Sequence, residues 1–238
     1  MRAIADAAAE KYNVPMVKVT GGQRLDLLGV RKEDLPAMWA DLNAAGMVSG
    51  HAYTKGLRTV KTCVGTDFCR FGTQDSTGLG IRLEKRLWGS WTPHKVKMAV
   101  SGCPRNCAEA TCKDVGVVCT DAGYNIGVGG AAGLDLKPTE PLHTARTEEE
   151  ATDITVAFVQ LYRENARYLD RPYKWIEKVG LDWVREQVVD DLENRAALVA
   201  RFDHSQTIYQ TDPWAERVQG AERHEFAPLA DLSLRAAE

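Results

Sequence analysis

The chain has 238 residues, enough for one large domain or two small ones, with 44% hydrophobic residues and a formal net charge of −3. That near balance gives no electrostatic case for nucleic acid or an anionic membrane as partner. No stretch approaches the roughly 18–20 apolar residues of a membrane span, and the start, carrying Asp6 and Glu10, lacks the apolar core of a signal peptide; the expected location is the cytoplasm.

Residues 2–12 predict a short helix with Ile4, Ala7, Ala8 and Tyr12 on one face. Val14–Thr20 predicts a strand, and Arg24–Leu28 a second one after the Gly21-Gly22 turn. Alternation puts Val17, Val19, Leu25 and Leu27 on apolar faces, with Lys18, Thr20, Arg24 and Asp26 opposite. Residues 33–45 predict a helix with Leu35, Met38, Trp39 and Leu42 inward, ended by Gly46. Such a helix–strand–strand–helix unit is an incomplete α+β layer. One more strand before residue 1 would cover it better, so the expectation is a piece of a longer polypeptide.

Residues 57–133 hold all six cysteines and most of the glycines. Glycine-dense loops suit backbone that comes close to a cofactor. Within this stretch Lys95–Val100 alternates as a strand, with Lys95 and Lys97 on one face and Val96, Met98 and Val100 on the other. Asp114–Cys119 and Tyr124–Val128 predict two short strands joined by Asp121-Ala122-Gly123. From Thr147 the composition changes: residues 148–170, 172–179 and 181–202 predict helices with little chemistry in them. The last 30 or so residues are polar and weakly periodic, and predict an ordered arm or a loose tail.

In a reducing compartment, six cysteines favour metal or redox chemistry over a disulfide framework. Four of them fall as Cys63-x5-Cys69 and Cys103-x3-Cys107. Thiolates are the usual ligands of a [4Fe–4S] cluster, because soft sulfur matches iron. On this reading Cys103-Pro104 stops the preceding strand. Cys107 then opens a helix through Thr111 whose free N–H groups face cluster sulfurs. Zinc competes, although an x5 gap is unusual for a zinc knuckle. The spacing also leaves open small buried hydrophobes or redox thiols. Cys112 and Cys119 match no pair and read as structural.

The stretches LRTVKTCVGTDFCRFGTQDSTGLG and HKVKMAVSGCPRNCAEATCKDVGVV resemble the sirohaem and iron–sulfur segment of the nitrite/sulfite reductase family. VPMVKVTGGQRLDLLGV resembles the ferredoxin-like half-domain that precedes it. Within the family the resemblance is strongest to the C-terminal part of the bacterial assimilatory NAD(P)H-dependent nitrite reductases. It implies an α+β fold: a partial ferredoxin-like half-domain over 1–56, a sirohaem and [4Fe-4S] core over 57–143, a helical part over 144–205, and a C-terminal arm over 206–238. It also implies a cluster on Cys63, Cys69, Cys103 and Cys107, with Cys107 bridging to the sirohaem iron. The implied activity is six-electron reduction of nitrite to ammonium. Sulfite reduction is the alternative, and a non-catalytic iron–sulfur carrier or remnant is the alternative of another class.

A macrocycle rich in carboxylates needs Arg and Lys donors. Arg24, Lys61, Arg70, Arg105 and Lys113 lie in the matching segments, as do Gln23, Gln74, Thr77 and Asn106, whose side chains can donate to the macrocycle or cap loops. Arg58, Lys95 and Lys97 resemble the family's anion-binding positions, where cations hold the substrate and supply protons. His94 reads as an ordinary turn residue, with a proton relay as the alternative. The resemblance implies FAD- and NAD(P)H-binding domains ahead of this region, a possible small subunit, and a possible homodimer that completes the pocket. No G-x-G-x-x-G follows a strand and opens a helix, so none of these residues is expected to bind NADH.

Overall fold

Helix α1 forms over Arg2–Ala5 and widens into a π-helical turn over Asp6–Lys11, which buries Ile4, Ala7 and Ala8. Strands β1 (Met16–Val19) and β2 (Leu25–Leu28) pair antiparallel, Val17 opposite Leu27 and Val19 opposite Leu25. Helix α2 (Leu35–Ala44) has Pro36 in its first turn, where no N–H bond is lost, and is followed by Gly46 at φ +78. Leu25 and Leu27 pack with Ile4, Tyr12, Met38 and Leu42. The alternation reading fails for β1. Val17 and Val19 share the face of their β2 partners but are exposed, because the helices cover only the β2 half.

The computed structural model describes residues 1–220 and 223–226. They fall into two units, one of Met1–Gly50 with the described residues from Thr211, the other of His51–Gln210. The expected arm therefore lies partly outside the described residues.

The second unit is built on a five-stranded sheet. Its elements are β3 (Lys61–Thr62), α3 (Gly65–Phe68), α4 (Ser76–Leu87), β4 (Met98–Ser101), β5 (Val115–Thr120), β6 (Gly123–Val128), the small pair β7 (Ala131–Ala132) and β8 (Leu136–Lys137), and β9 (Glu140–Ala145). The order is β3-β4-β5-β6-β9, with β3, β4 and β5 parallel and the rest antiparallel. Helices α5 (Glu148–Asn165), α6 (Pro172–Val179), α7 (Leu181–Arg185) and α8 (Leu192–Tyr209) follow. Helix α5 is the core helix: Ile154, Val156, Ala157, Phe158 and Val159 are fully buried, packed with β-strand residues such as Val117 and Ile126.

Helix α4 is the element that the glycine density conceals. Asp75 caps it, accepting from the Gly78 N–H at 2.8 Å, and Leu79, Leu83 and Leu87 recur every fourth residue on its buried face. Strand β9 also escapes the sequence reading. The strand expected over Lys95–Val100 begins at Met98, and Val96 makes only an isolated parallel bridge to Leu57. Helix α5 ends at Asn165 rather than 170. Helix α8 reaches Tyr209, so the expected arm begins inside it. A short helix α9 (Pro213–Gln219) follows in the first unit, where Trp214 stacks on Trp39 at 6.3 Å.

Candidate functional site

The parallel pairing of β3 and β4 decides where the cysteines go. Lys61 pairs with Ala99 and Thr62 with Val100, and Cys63 continues the ladder by donating its N–H to the Val100 carbonyl at 3.3 Å. Strand β4 runs on to Ser101, then Gly102 and Cys103. Both cysteine loops therefore leave the sheet at the same end. They are stapled together there. The Thr73 N–H and hydroxyl both donate to the Gly102 carbonyl, at 2.7 and 3.0 Å. The Thr77 hydroxyl donates to the Cys63 carbonyl at 3.2 Å, and Ser76 Oγ lies at the same distance from that carbonyl.

The Gly102 N–H donates to Cys63 Sγ at 3.0 Å, and Ser76 Oγ lies 3.2 Å from the same sulfur. A Cβ on Gly102 would stand 3.0 Å from Ser76 Oγ, 3.1 Å from Gly65 Cα and 3.3 Å from Cys63 Sγ, so any larger residue would press the loops apart by a few tenths of an ångström. Burial by itself raises the Cys63 thiol, but the Ser76 hydroxyl and the backbone N–H groups of Gly102, Gly65 and Cys63 outweigh it and hold the thiol below its ordinary range. These donors favour the thiolate of Cys63, the form that binds metal.

Cys69 is half-buried, its N–H donating to the Gly65 carbonyl at 3.0 Å; Cys103 is buried and Cys107 exposed. Cys63 packs against Ala99, Ala108 and Ala110, which brings the Cys107-Ala108 turn to it. The helix expected from Cys107 to Thr111 does not form. Asn106 and Glu109 sit at φ +56 and +58, which a right-handed helix excludes, and only a single 3₁₀ turn follows over Ala110–Cys112. Asn106 stabilises the turn instead: Oδ1 accepts from Ser101 Oγ and the Ala110 N–H, and Nδ2 donates to Thr111 Oγ1 at 2.7 Å. Cys119 is fully buried, and desolvation, with Cys63 the next cause, pushes its thiol up to about 12. The Cys112 thiol donates to the Glu109 carbonyl at 3.2 Å. Among the described residues no three His, Cys, Asp or Glu side chains converge as one metal ion would require. A four-iron cluster takes one cysteine thiolate on each iron, so its ligands stand farther apart than those of a single ion. Four cysteines carried on two loops that are hydrogen-bonded together are the kind of donor set such a cluster takes.

Arg58, Lys95 and Lys97 are brought together by the bridge between Leu57 and Val96. The Arg58 N–H donates to the Val96 carbonyl at 2.8 Å, and both bridge residues are buried. The Arg58 Nε donates to the Tyr53 carbonyl at 2.9 Å, and Arg58 and Lys95 both act electrostatically on His94. Burial lowers the Lys97 ammonium from its ordinary range, and Lys95, Arg171 and Lys113 add to this; only Asp114 opposes them. His94 is lowered by burial and then by Arg171, Lys95 and Arg58, and its Nδ1 accepts the Lys95 N–H at 2.8 Å. Lys61 and Lys113 both pair with Glu109, at 3.1 and 3.0 Å. Arg105 lies 3.8 Å and Arg70 4.6 Å from the ring of the exposed Phe71. Gln74 donates to the Thr120 carbonyl at 3.2 Å, a staple like those of Thr77 and Asn106. Gln23 and Arg24 lie in the other unit, where the Arg24 side chain packs over Gly50.

Sequence reasoning missed Ser76, Glu109, Asp114 and Arg171. Ser76 and Glu109 stand inside the motif stretches and were passed over for residues of plainer chemistry. Arg171 carries no local signal, since only folding brings it to Asp114.

Comparison with known proteins gives the family. The model of the nitrite and sulphite reductase 4Fe-4S domain matches residues 53–196, and that of the nitrite/sulfite reductase ferredoxin-like half domain matches residues 1–45. The chain belongs to the nitrite and sulphite reductase 4Fe-4S domain family. An NAD(P)H nitrite reductase of Bacillus subtilis is 53% identical over 216 residues, covering 91% of this chain and 26% of that protein. The NAD(P)H nitrite reductase large subunit of Klebsiella oxytoca is 49% identical over 187 residues, 77% of this chain and 19% of that protein. This family member thus spans about a quarter or less of those relatives. An assimilatory-type sulfite reductase of Nitratidesulfovibrio vulgaris is 38% identical over 179 residues, 75% of this chain and 81% of that one. The crystal structure of dissimilatory sulfite reductase I superimposes with a TM-score of 0.69 over 78% of this chain and 64% of that one, at 14% identity, which shows the shared fold. Among the described residues no helix is long and apolar enough to cross a membrane.

Proposed function

We propose that this chain is the catalytic module of a nitrite reductase, with a [4Fe–4S] cluster on Cys63, Cys69, Cys103 and Cys107 and sirohaem beside it. What supports the reading is that the Leu57–Val96 bridge brings the backbone of Arg58 to that of Val96, between Lys95 and Lys97, in the same unit as the four cysteines. Such a convergence of cations has too little negative charge of its own and suits an anion. The NAD(P)H nitrite reductases at 53% and 49% identity support nitrite as that anion.

When bound, the cofactors would relay electrons and supply the iron at which nitrite is reduced to ammonium. The chain's own groups do the rest. The Gly102 N–H and Ser76 hydroxyl stabilise the Cys63 thiolate. Arg58, Lys95 and Lys97 hold the substrate anion, and the lysines return protons as N–O bonds break. Lys113 and Lys61 extend the cationic band toward the Cys107 turn through their shared partner Glu109, and with Arg70 and Arg105 they offer donors to the macrocycle's carboxylates. Arg24, Gln23, Gln74, Thr77 and Asn106 complete the proposed set, the last three by shaping the loops. The electrons come from flavin and NAD(P)H domains, which the greater length of the nitrite reductase relatives supports.

Sulfite reduction is the second reading. It is favoured by the Nitratidesulfovibrio vulgaris relative, a sulfite reductase of which the matched region covers 81%. One experiment tests both. The protein is purified anaerobically from a host that makes sirohaem, its visible spectrum is recorded, and turnover of nitrite and sulfite is compared with reduced viologen as donor. A sirohaem spectrum with nitrite as the better substrate supports the proposal; a colourless protein overturns it.

A further inference from the structure

Asp114 is fully buried, yet its carboxylate has two partners from distant parts of the chain. Its Oδ2 accepts the backbone N–H of Lys97 at 2.8 Å. Arg171, the residue before α6, grips it from the other side, Nη2 at 2.7 Å from Oδ1 and 2.9 Å from Oδ2, and Nε at 3.2 Å from Oδ1. The next residue completes the clamp, since the Val115 N–H donates to the Lys97 carbonyl at 3.2 Å. Both backbone polar groups of Lys97 are therefore held by the Asp114-Val115 pair at the point where β4 has not yet begun its regular ladder. A backbone N–H at a strand end is ordinarily satisfied by water or a neutral carbonyl, and a desolvated carboxylate with its own guanidinium is a costly substitute. Such a bidentate pair adds fixed geometry.

We propose that Asp114 and Arg171 are positioning residues for Lys97. They lock its backbone and so hold the ammonium near Lys95, and the carboxylate offsets part of the repulsion from the neighbouring cations. The inference rests on the proposal that Lys97 holds the substrate anion. Arg171 also acts electrostatically on both Lys97 and His94.

The test is a double-mutant cycle on the full chain carrying its cofactors, with Arg171→Lys, Lys97→Ala and the pair, joined to amide hydrogen exchange at Lys97. Arg171→Ala is avoided because it strands a buried carboxylate. Arg171→Lys is expected to keep the visible spectrum, raise the KM for nitrite about tenfold with a smaller change in kcat, and speed exchange of the Lys97 amide; a misplacement of about 1 Å can cost up to about a hundredfold. In the Lys97→Ala background the same change should have no further effect on KM. Asp114→Asn, which keeps the shape and weakens both bonds, should move exchange and KM the same way and serves if Arg171→Lys does not fold. An equal KM effect in both backgrounds, or unaltered exchange at Lys97, overturns the positioning role while leaving the anion site standing. A wild-type KM in Lys97→Ala overturns the anion site itself, and the positioning role with it.

Discussion

The amide of Gly102 donates to the sulfur of Cys63 at 3.0 Å, joining two loops that lie 39 residues apart in sequence. The contact exists because β3 and β4 run parallel and end together, and because Gly102 has no side chain to keep the loops apart. Gly102→Ala should therefore open the junction. Overpacking of this kind costs about 1–3 kcal/mol, and the thiolate would also lose a donor. A lower Tm with reduced iron content is expected; unchanged iron and Tm would show that the loops have slack.

The cysteine assignment is tested by serine scanning. Serine at Cys63, Cys69, Cys103 or Cys107 should remove the cluster, measured as iron and acid-labile sulfide. Serine at Cys112 or Cys119 should leave iron nearly unchanged, although Cys119→Ser buries a hydroxyl and lowers stability by about 1–3 kcal/mol. Equal iron loss from all six variants would remove the assignment.

Lys95→Ala and Lys97→Ala should keep the cofactor spectrum and weaken nitrite binding. Losing one charge-assisted contact costs roughly 1.5–3 kcal/mol, on the order of a 10- to 100-fold rise in KM. Wild-type kinetics in both variants would place the lysines in solvent.

Lys97 also sets a pH dependence. Its ammonium is lowered from the ordinary 10.5, first by burial and then by Lys95, Arg171 and Lys113, while Asp114 acts the other way. It therefore loses its charge at a lower pH than a free lysine does. Nitrite affinity should be full below the lowered value and fall as pH rises through it, so KM climbs on the alkaline side before pH 10.5 is reached. In Lys97→Arg, whose guanidinium stays charged, the climb should move to higher pH. An identical alkaline limb in that variant would assign the limb to another group.

Helix α4 gives a control remote from the anion site. Leu83→Ala removes a fully buried side chain and should cost 2–5 kcal/mol in urea unfolding, about the range of core truncations. Ile81→Ala, on the exposed side of the same helix, should cost within about 0.5 kcal/mol.

Much of this molecule is local and was readable as such. The Asp121-Ala122-Gly123 turn, the two strands it joins and the helix over Leu35–Ala44 depend on neighbours a few residues away, and the structure has each of them. Helix α4 was legible too, in the Asp75 cap and the four-residue spacing of Leu79, Leu83 and Leu87, but its glycines pointed to loops. The failed helix at Cys107 has a different cause. Asn106 bonds to Ser101, Ala110 and Thr111 at once, and this competes successfully with helical backbone pairing.

The sequence by itself determined the chemistry: which thiols are paired, which cations recur near them, and which family they belong to. The tertiary structure decided which of those groups meet. Parallel pairing of β3 with β4 brings Cys63 beside Gly102, the Leu57–Val96 bridge brings the Arg58 backbone to Val96, and Arg171 meets Asp114 from 57 residues away in sequence. Such contacts depend on strand order and on helices closing over the sheet. Those are set by burial summed over the whole unit, and no short window of residues records that sum.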